Sequence, residues 1–122
     1  MRVRYSYLPQ QFGDCPELWQ KLQEFVPTGD FTLGKPLTEF ETRFAELMGC
    51  KHAIGVNSGT DAIKLGLKSL GIGFGDEVIT AANTFVATVG AINEIGAVPV
   101  FVDCDDTFCM DTSLVESAIT KR

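Results

Sequence analysis

The residues best suited to chemistry in this sequence form a short polar turn, Asn57-Ser58-Gly59-Thr60-Asp61. An apolar run at residues 53–56 precedes the turn and a helical pattern follows it, so the turn is predicted to join a strand to a helix. The first backbone N–H groups of a helix have no partner within the helix, and the helix dipole adds about half a positive charge there. Gly59 permits close approach to the backbone, and the Thr60 hydroxyl can donate one more hydrogen bond. We therefore expect this turn to hold an anion such as a phosphate monoester.

The same pattern is also typical of helices that bind no ligand, because Ser or Asn beside a glycine caps many helix starts. The sequence contains neither a Walker A loop nor a G-x-G-x-x-G fingerprint. The glycines at positions 71, 73 and 75 precede a predicted strand rather than join a strand to a helix, so we interpret them as turn residues. An ordinary capped helix therefore remains an alternative for residues 57–61.

Other reactive side chains indicate no metal site. The cysteines have no Cys-x-x-Cys spacing, and His52 is the single histidine. We expect the cysteines to be reduced thiols packed as small hydrophobic side chains; they are Cys15, Cys50, Cys104 and Cys109. Asp103 ends a predicted strand and is followed by Asp105 and Asp106, a cluster that we interpret as turn chemistry rather than as a catalytic carboxylate.

Composition excludes several classes of partner. Ten basic against 16 acidic residues give a formal charge of −6, and the basic residues are scattered, which argues against nucleic-acid binding. No segment approaches the roughly 20 apolar residues that span a bilayer, and residues 1–7 lack the apolar core of a signal peptide. The sequence predicts a cytoplasmic protein with neither nucleic-acid nor membrane partners.

Two patterns of hydrophobic residues divide the chain near residue 50. Amphipathic helices are predicted over residues 16–26 and 36–48, with Gly49 as the stop of the second. Beyond them, strands and helices alternate, and the strands are predicted at residues 53–56, 77–80 and 98–103. Asn83 or Thr84 is expected to cap the helix that runs to about residue 95, and Asp111 is expected to begin a final helix over 114–119. Lys64 is expected to be a solvated surface lysine.

Strands that alternate with helices through short loops predict parallel βαβ units, and therefore an α/β sheet. We divide the chain into residues 1–50, which form amino-terminal helices and a loop, and residues 51–122, which form the first βαβαβ part of the larger domain. A parallel sheet needs helices on both faces, and three strands with few helices leave it incomplete. The sequence therefore predicts the amino-terminal piece of a larger domain.

Four motifs resemble, in order and spacing, those of the DegT-type nucleotide-sugar aminotransferases. They are NSGTDAI at residues 57–63, GIGFGDEVI at 71–79, NTFVAT at 83–88 and GAVPVFVD at 96–103. Upstream, residues 29–34 and the pair Phe40-Glu41 resemble the same family, so the similarity extends from about residue 28 onward. This resemblance implies a partial three-layer αβα sandwich, the amino-terminal part of the fold-type-I large domain of aspartate aminotransferase. It also implies a pyridoxal 5′-phosphate cofactor, a nucleotide-sugar substrate, an amino-acid donor and a homodimer with active sites at the subunit interface.

The resemblance also assigns site residues. Gly59, Thr60 and the backbone of Asp61 would bind the cofactor phosphate, and Phe85 would stack on the pyridine ring. Without the resemblance, Phe85 would be interpreted as a core phenylalanine at a helix start. Phe31 and Thr32 match a segment near the substrate.

The chemistry of transamination needs a lysine that holds the cofactor as a Schiff base and a carboxylate against the pyridine nitrogen. In the family both lie beyond the position of Arg122, so we assign no catalytic residue and expect the 122-residue chain to be inactive by itself. Three alternatives remain: a sugar dehydratase of the same family that uses pyridoxal or pyridoxamine phosphate, a truncated non-catalytic α/β module, and a small phosphate- or nucleotide-binding protein.

Overall fold

The computed structural model describes residues 4–122 and divides them into two compact units. The first unit extends to Gly55 and the second comprises Val56–Arg122. Residues 1–3 lie outside the described residues. They belong to the segment 1–7, which is predicted to lack the apolar core of a signal peptide. No helix in the described range is both long and apolar enough to cross a membrane. The predicted division at residues 50 and 51 stays a prediction.

The first unit is helical, and its two longer helices follow the predicted patterns. Its helices are α1 (Leu8–Phe12), α2 (Pro16–Phe25) and α3 (Lys35–Met48), with a 3-10 turn at Val26–Thr28 after α2. Pro16 occupies the first position of α2, where its missing N–H costs nothing. At the end of α3, Gly49 adopts the left-handed conformation with φ 63°, and the N–H of Cys50 donates to the Ala45 carbonyl at 3.0 Å. This closure satisfies a carbonyl that the helix itself leaves unpaired.

The second unit contains a parallel βαβ unit, as the alternating pattern predicts. Its elements are α4 (Gly59–Ser69), β1 (Glu77–Ala81), α5 (Val86–Glu94), β2 (Val98–Val102), a 3-10 turn at Thr112–Leu114 and α6 (Val115–Ala118). Strands β1 and β2 pair in parallel with Glu77 opposite Val98 and Ala81 opposite Val102, and α5 is the connection between them. Asp111 begins the final helical segment, as predicted, because its Oδ1 accepts the N–H of Ser113 at 2.9 Å.

A small apolar cluster holds α5 against its neighbours. Ile92, at 1% exposure, is the largest fully buried side chain, and it packs with Ile95 and Ala97. Leu67 from α4 and Val78 from β1 pack against this cluster. The cluster therefore joins α4, α5 and the sheet, which are the elements that position the predicted site.

The strand predicted over residues 53–56 is wrong for this structure. Those residues form no ladder with another strand of the described chain, and the N–H of Gly55 donates instead to Glu41 Oε1 at 2.8 Å. A strand exists only when a neighbouring strand supplies backbone partners, and an apolar run does not guarantee such a neighbour.

The prediction that the cysteines are packed as small hydrophobic side chains fails at two positions, because Cys50 and Cys109 are exposed.

Candidate functional site

The predicted turn begins helix α4 with a well-formed cap. Ser58 has extended backbone angles, φ −155° and ψ 159°, and its Oγ accepts the N–H of Asp61 at 3.1 Å. The first backbone hydrogen bond of the helix runs from the N–H of Ala62 to the Ser58 carbonyl at 3.0 Å. The cap therefore fixes the direction of the N–H groups that lie between Ser58 and Ala62.

Two of those amides remain free to bind a ligand. Among the described residues, the N–H groups of Gly59 and Thr60 and the Thr60 hydroxyl make no hydrogen bond. A Cβ added to Gly59 would meet no atom within 4 Å, so there is open space beside the backbone. Three unpaired donors at the positive end of an 11-residue helix, beside open space, suit the oxygens of a phosphate. The residues present therefore fit the phosphate group of the implied cofactor.

The Asp61 amide differs from these two, because it already donates to Ser58 Oγ. The role predicted for the Asp61 backbone would require this amide to be shared with the phosphate. The Asp61 carboxylate is engaged as well. Its Oδ2 accepts from the Ser58 hydroxyl at 3.1 Å, and its Oδ1 lies 2.6 Å from Lys64 Nζ.

Lys64 joins this first turn of α4 to α5, which corrects its predicted role as a solvated surface lysine. Its Nζ contacts Glu94 Oε2 at 3.0 Å as well as Asp61, and the Lys64 side chain is only 27% exposed. The hydrogen bond with Lys64, followed by that with Ser58, lowers the pKa of Asp61. The hydrogen bonds with Asp61 and Glu94 raise the pKa of Lys64. The spacing of Asp61 and Lys64 could have indicated their contact, but no local pattern indicates Glu94.

Phe85 is exposed, so it belongs to no core that the described residues form by themselves. It occupies the N-cap position of α5, and its side chain is 77% exposed. Neither Asn83 nor Thr84 caps the helix as predicted; Thr84 Oγ1 instead donates to Thr88 Oγ1 at 3.2 Å. The ring of Phe85 is therefore free of contacts that would bury it in the described chain, and its stacking role stays a prediction.

Phe31 and Thr32 belong to the first unit, whereas the four predicted cofactor residues belong to the second. Phe31 packs edge-on against Phe25 with ring centroids 5.6 Å apart, yet 65% of its surface is exposed. The loop around them is held by Asp30 Oδ2, which accepts the N–H of Lys35 at 3.0 Å. Phe31 and Thr32 are thus presented on an ordered loop, and their substrate role stays a prediction.

The acidic cluster after β2 forms turns, as predicted. Asp103 Oδ1 accepts the N–H of Cys104, and Asp105 Oδ1 accepts the N–H of Thr107, each at 2.8 Å. The Thr107 side chain, followed by its backbone, lowers the pKa of Asp105. Within the described residues, no group of three or more His, Cys, Asp or Glu side chains is placed to hold a metal ion.

Comparison with known proteins gives separate evidence on the family of this chain. The sequence profile described as the DegT/DnrJ/EryC1/StrS aminotransferase family matches residues 14–122. A dTDP-3-amino-3,4,6-trideoxy-alpha-D-glucose transaminase of Micromonospora megalomicea subsp. nigra is 44% identical over 97% of this chain and 32% of its own length. A 3-oxo-glucose-6-phosphate:glutamate aminotransferase of Bacillus subtilis is also 44% identical, over 88% of this chain and 24% of its own.

Solved structures agree with the sequence relatives. NtdA from Bacillus subtilis, crystallised with bound cofactor PMP, superposes with a TM-score of 0.84 at 43% identity, over 87% of this chain and 25% of that one. The α/β fold class, as part of the fold-type-I domain, is thereby confirmed. The chain spans about a third or less of the length of the curated relatives it matches.

Proposed function

This chain belongs to the DegT/DnrJ/EryC1/StrS aminotransferase family, and from that premise we propose that it is the amino-terminal part of a pyridoxal-phosphate-dependent aminotransferase. The enzyme moves an amino group from an amino-acid donor to a keto-sugar nucleotide. The observation that carries this proposal is the start of α4, where two free amides and the Thr60 hydroxyl border open space.

The cofactor is supported by both the relatives and the donor set. A family member 43% identical to this chain is described with bound cofactor PMP, the pyridoxamine form of pyridoxal phosphate. In this chain, Gly59 and Thr60 hold the phosphate, the amide of Asp61 assists them, and the exposed Phe85 ring stacks on the pyridine. Stacking of that kind contributes about 0.5–1.5 kcal/mol beyond the area it buries.

The substrate class is a keto sugar. One relative is named for a dTDP-linked sugar and another for a glucose 6-phosphate derivative, so the family handles sugars with different phosphorylated groups. Phe31 and Thr32 contribute to substrate binding in the proposed enzyme, and the nucleotide-linked form of the sugar is part of the proposal.

The proposed enzyme is a cytoplasmic homodimer. Residues 1–122 alone are inactive, because the Schiff-base lysine lies in the remaining part of the protein.

The test is carried out on the full-length protein. It is expected to show the absorbance band of bound pyridoxal phosphate and to convert a keto-sugar nucleotide to an amino sugar with glutamate as donor. Thr60→Val should weaken cofactor binding by roughly 1–3 kcal/mol, because a charged acceptor loses one hydrogen bond. Thr60→Ser, which keeps the hydroxyl, is the matched control. Absence of the band from the intact protein would refute the proposal, and unchanged binding in Thr60→Val would remove Thr60 from the site.

The product distinguishes the alternative chemistry. A dehydratase of the same family would yield a sugar that has lost water and gained no nitrogen. Mass spectrometry of the product, with glutamate isotopically labelled at its amino nitrogen as donor, separates the two reactions because only transamination transfers that nitrogen to the sugar.

A further inference from the structure

We propose that Lys64 is a positioning residue for the phosphate site, neutralising the carboxylate of Asp61 at the point where an anion binds. This inference rests on the proposed function, and it concerns how the site tolerates an acidic residue. Nothing in the motif that carries the resemblance requires a lysine at this place in α4.

The charge of the Asp61 carboxylate opposes the binding of an anion at this helix start. Asp61 is the third residue of α4, and its carboxylate belongs to the same helical turn as the free amides of Gly59 and Thr60. An anion bound to those amides would be repelled by a bare carboxylate, and this repulsion would oppose the favourable helix dipole. An acidic side chain stabilises the start of an empty helix but weakens the same start as an anion site.

Both oxygens of the Asp61 carboxylate have partners. Lys64 Nζ lies 2.6 Å from Asp61 Oδ1, and both side chains are about three-quarters covered, at 27% and 25% exposure. Ser58 Oγ donates to the other carboxylate oxygen at 3.1 Å, so the carboxylate is held on both sides. Lys64 therefore sets a positive charge directly against the Asp61 carboxylate, while Glu94, the second carboxylate that Lys64 contacts, is 56% exposed and screened by solvent.

A second helix holds Lys64 in place. Glu94, the last residue of α5, contacts Nζ at 3.0 Å and is separated from Lys64 by 30 residues of sequence. Lys64 is thus held between two helices that pack on the same apolar cluster, and it loses less freedom on pairing than an exposed lysine would. Ser58, Asp61, Lys64 and Glu94 form one connected network from the cap of α4 to the end of α5.

The experiment compares pyridoxal phosphate with pyridoxal, which lacks the phosphate, in the full-length protein. Lys64→Met should weaken binding of pyridoxal phosphate by about five- to tenfold, from the repulsion of one uncompensated charge, and leave binding of pyridoxal unchanged. Lys64→Arg should restore binding. Lys68→Met, which removes the same charge one turn further along α4 from an exposed residue, is the matched control and should bind both ligands normally.

A second variant separates charge from folding. Asp61→Asn combined with Lys64→Met removes the carboxylate beside the free amides and leaves Glu94 as the one carboxylate of the network without its partner. Because Glu94 is 56% exposed and screened by solvent, the affinity for pyridoxal phosphate should return to within about twofold of the parent, which is a strong coupling between positions 61 and 64. The thermal midpoints of the cofactor-free proteins report structural damage independently.

The possible results separate failure of the Lys64 inference from failure of the proposed function. Unchanged affinity for pyridoxal phosphate in Lys64→Met would overturn the inference, as would an equal loss for both ligands or a double variant as weak as the single one. A full-length protein that binds no pyridoxal phosphate at all would instead refute the proposed function.

Discussion

Gly59 has a helical backbone, and the position that a Cβ atom would occupy at this residue borders open space. A side chain there would meet no protein atom within 4 Å, and the backbone is not in the left-handed region that favours glycine. Folding of the described chain therefore does not require glycine at this position. A ligand that approaches the amide closely would require it, because a methyl group would occupy the same space.

We expect Gly59→Ala to separate these two requirements. The free energy of unfolding of the cofactor-free protein should be unchanged or raised by up to about 1 kcal/mol, because alanine restricts the unfolded chain and suits a helix. Affinity for pyridoxal phosphate should fall. Denaturant unfolding and cofactor titration measure the two quantities, and Gly66→Ala, in the same helix with equally open surroundings, is the control. A variant that keeps the cofactor affinity would show that no ligand occupies the space beside Gly59.

At the scale of the element, the start of α4 depends on charge pairs that join it to α5. Ser58 caps the helix, Asp61 accepts from Ser58 and contacts Lys64, and Lys64 reaches Glu94. The pKa shifts of Asp61 and Lys64 show that both charged forms are favoured in the folded state. The junction of the two helices is therefore sensitive to pH at both ends of the range.

These shifts predict the pH dependence of stability. The pKa of Asp61 is lowered from 3.8, so its contribution is present above that value and is lost as the pH falls through the lower folded pKa. The pKa of Lys64 is raised from 10.5, so its contribution is present below that value and is lost as the pH rises through the higher folded pKa. In urea unfolding, Asp61→Asn should flatten the acid limb below about pH 4 relative to the parent. Asp106→Asn, a change in an exposed turn carboxylate, is the control, and equal flattening in both variants would contradict the assignment.

At the scale of the whole molecule, large apolar side chains remain exposed in both units. In the second unit, Leu70 is 77%, Phe74 96% and Phe101 51% exposed, and each strand has a single partner. Surfaces of this kind mark interaction sites, and a two-stranded sheet is marginally stable by itself. The chain spans about a third of the length of its relatives, and in the proposed full-length enzyme further polypeptide would cover part of this surface.

We expect residues 1–122 in isolation to unfold over a broad thermal range and to bind ANS strongly, because apolar surface stays accessible. The full-length protein should unfold cooperatively and bind far less dye per molecule. Pyridoxal phosphate should raise the melting temperature of the full-length protein and not that of the isolated chain. A sharp, ligand-dependent transition of residues 1–122 alone would favour a self-sufficient phosphate-binding module.

Much of the local structure was predictable because its causes are local. The apolar stripe of α3, the stop at Gly49 and the Asp111 cap follow from spacing and backbone preference alone. Helix α1 is absent from the prediction, although Pro9 near its start was an available signal. The exposure of Phe85 could not be derived from periodicity, because an aromatic residue at a helix start is compatible with either a core or a ligand.

The family motifs, the alternation of strand and helix around β1 and β2, and the capped turn from Ser58 to Asp61 could all be recognised from the sequence. These depend on residues a few positions apart, whose spacing sets backbone periodicity and capping. Only the three-dimensional arrangement shows that residues 53–56 have no neighbouring strand within the described chain and that Lys64 contacts Glu94. Strand pairing and a contact across 30 residues depend on which elements pack together, and no local pattern encodes that choice.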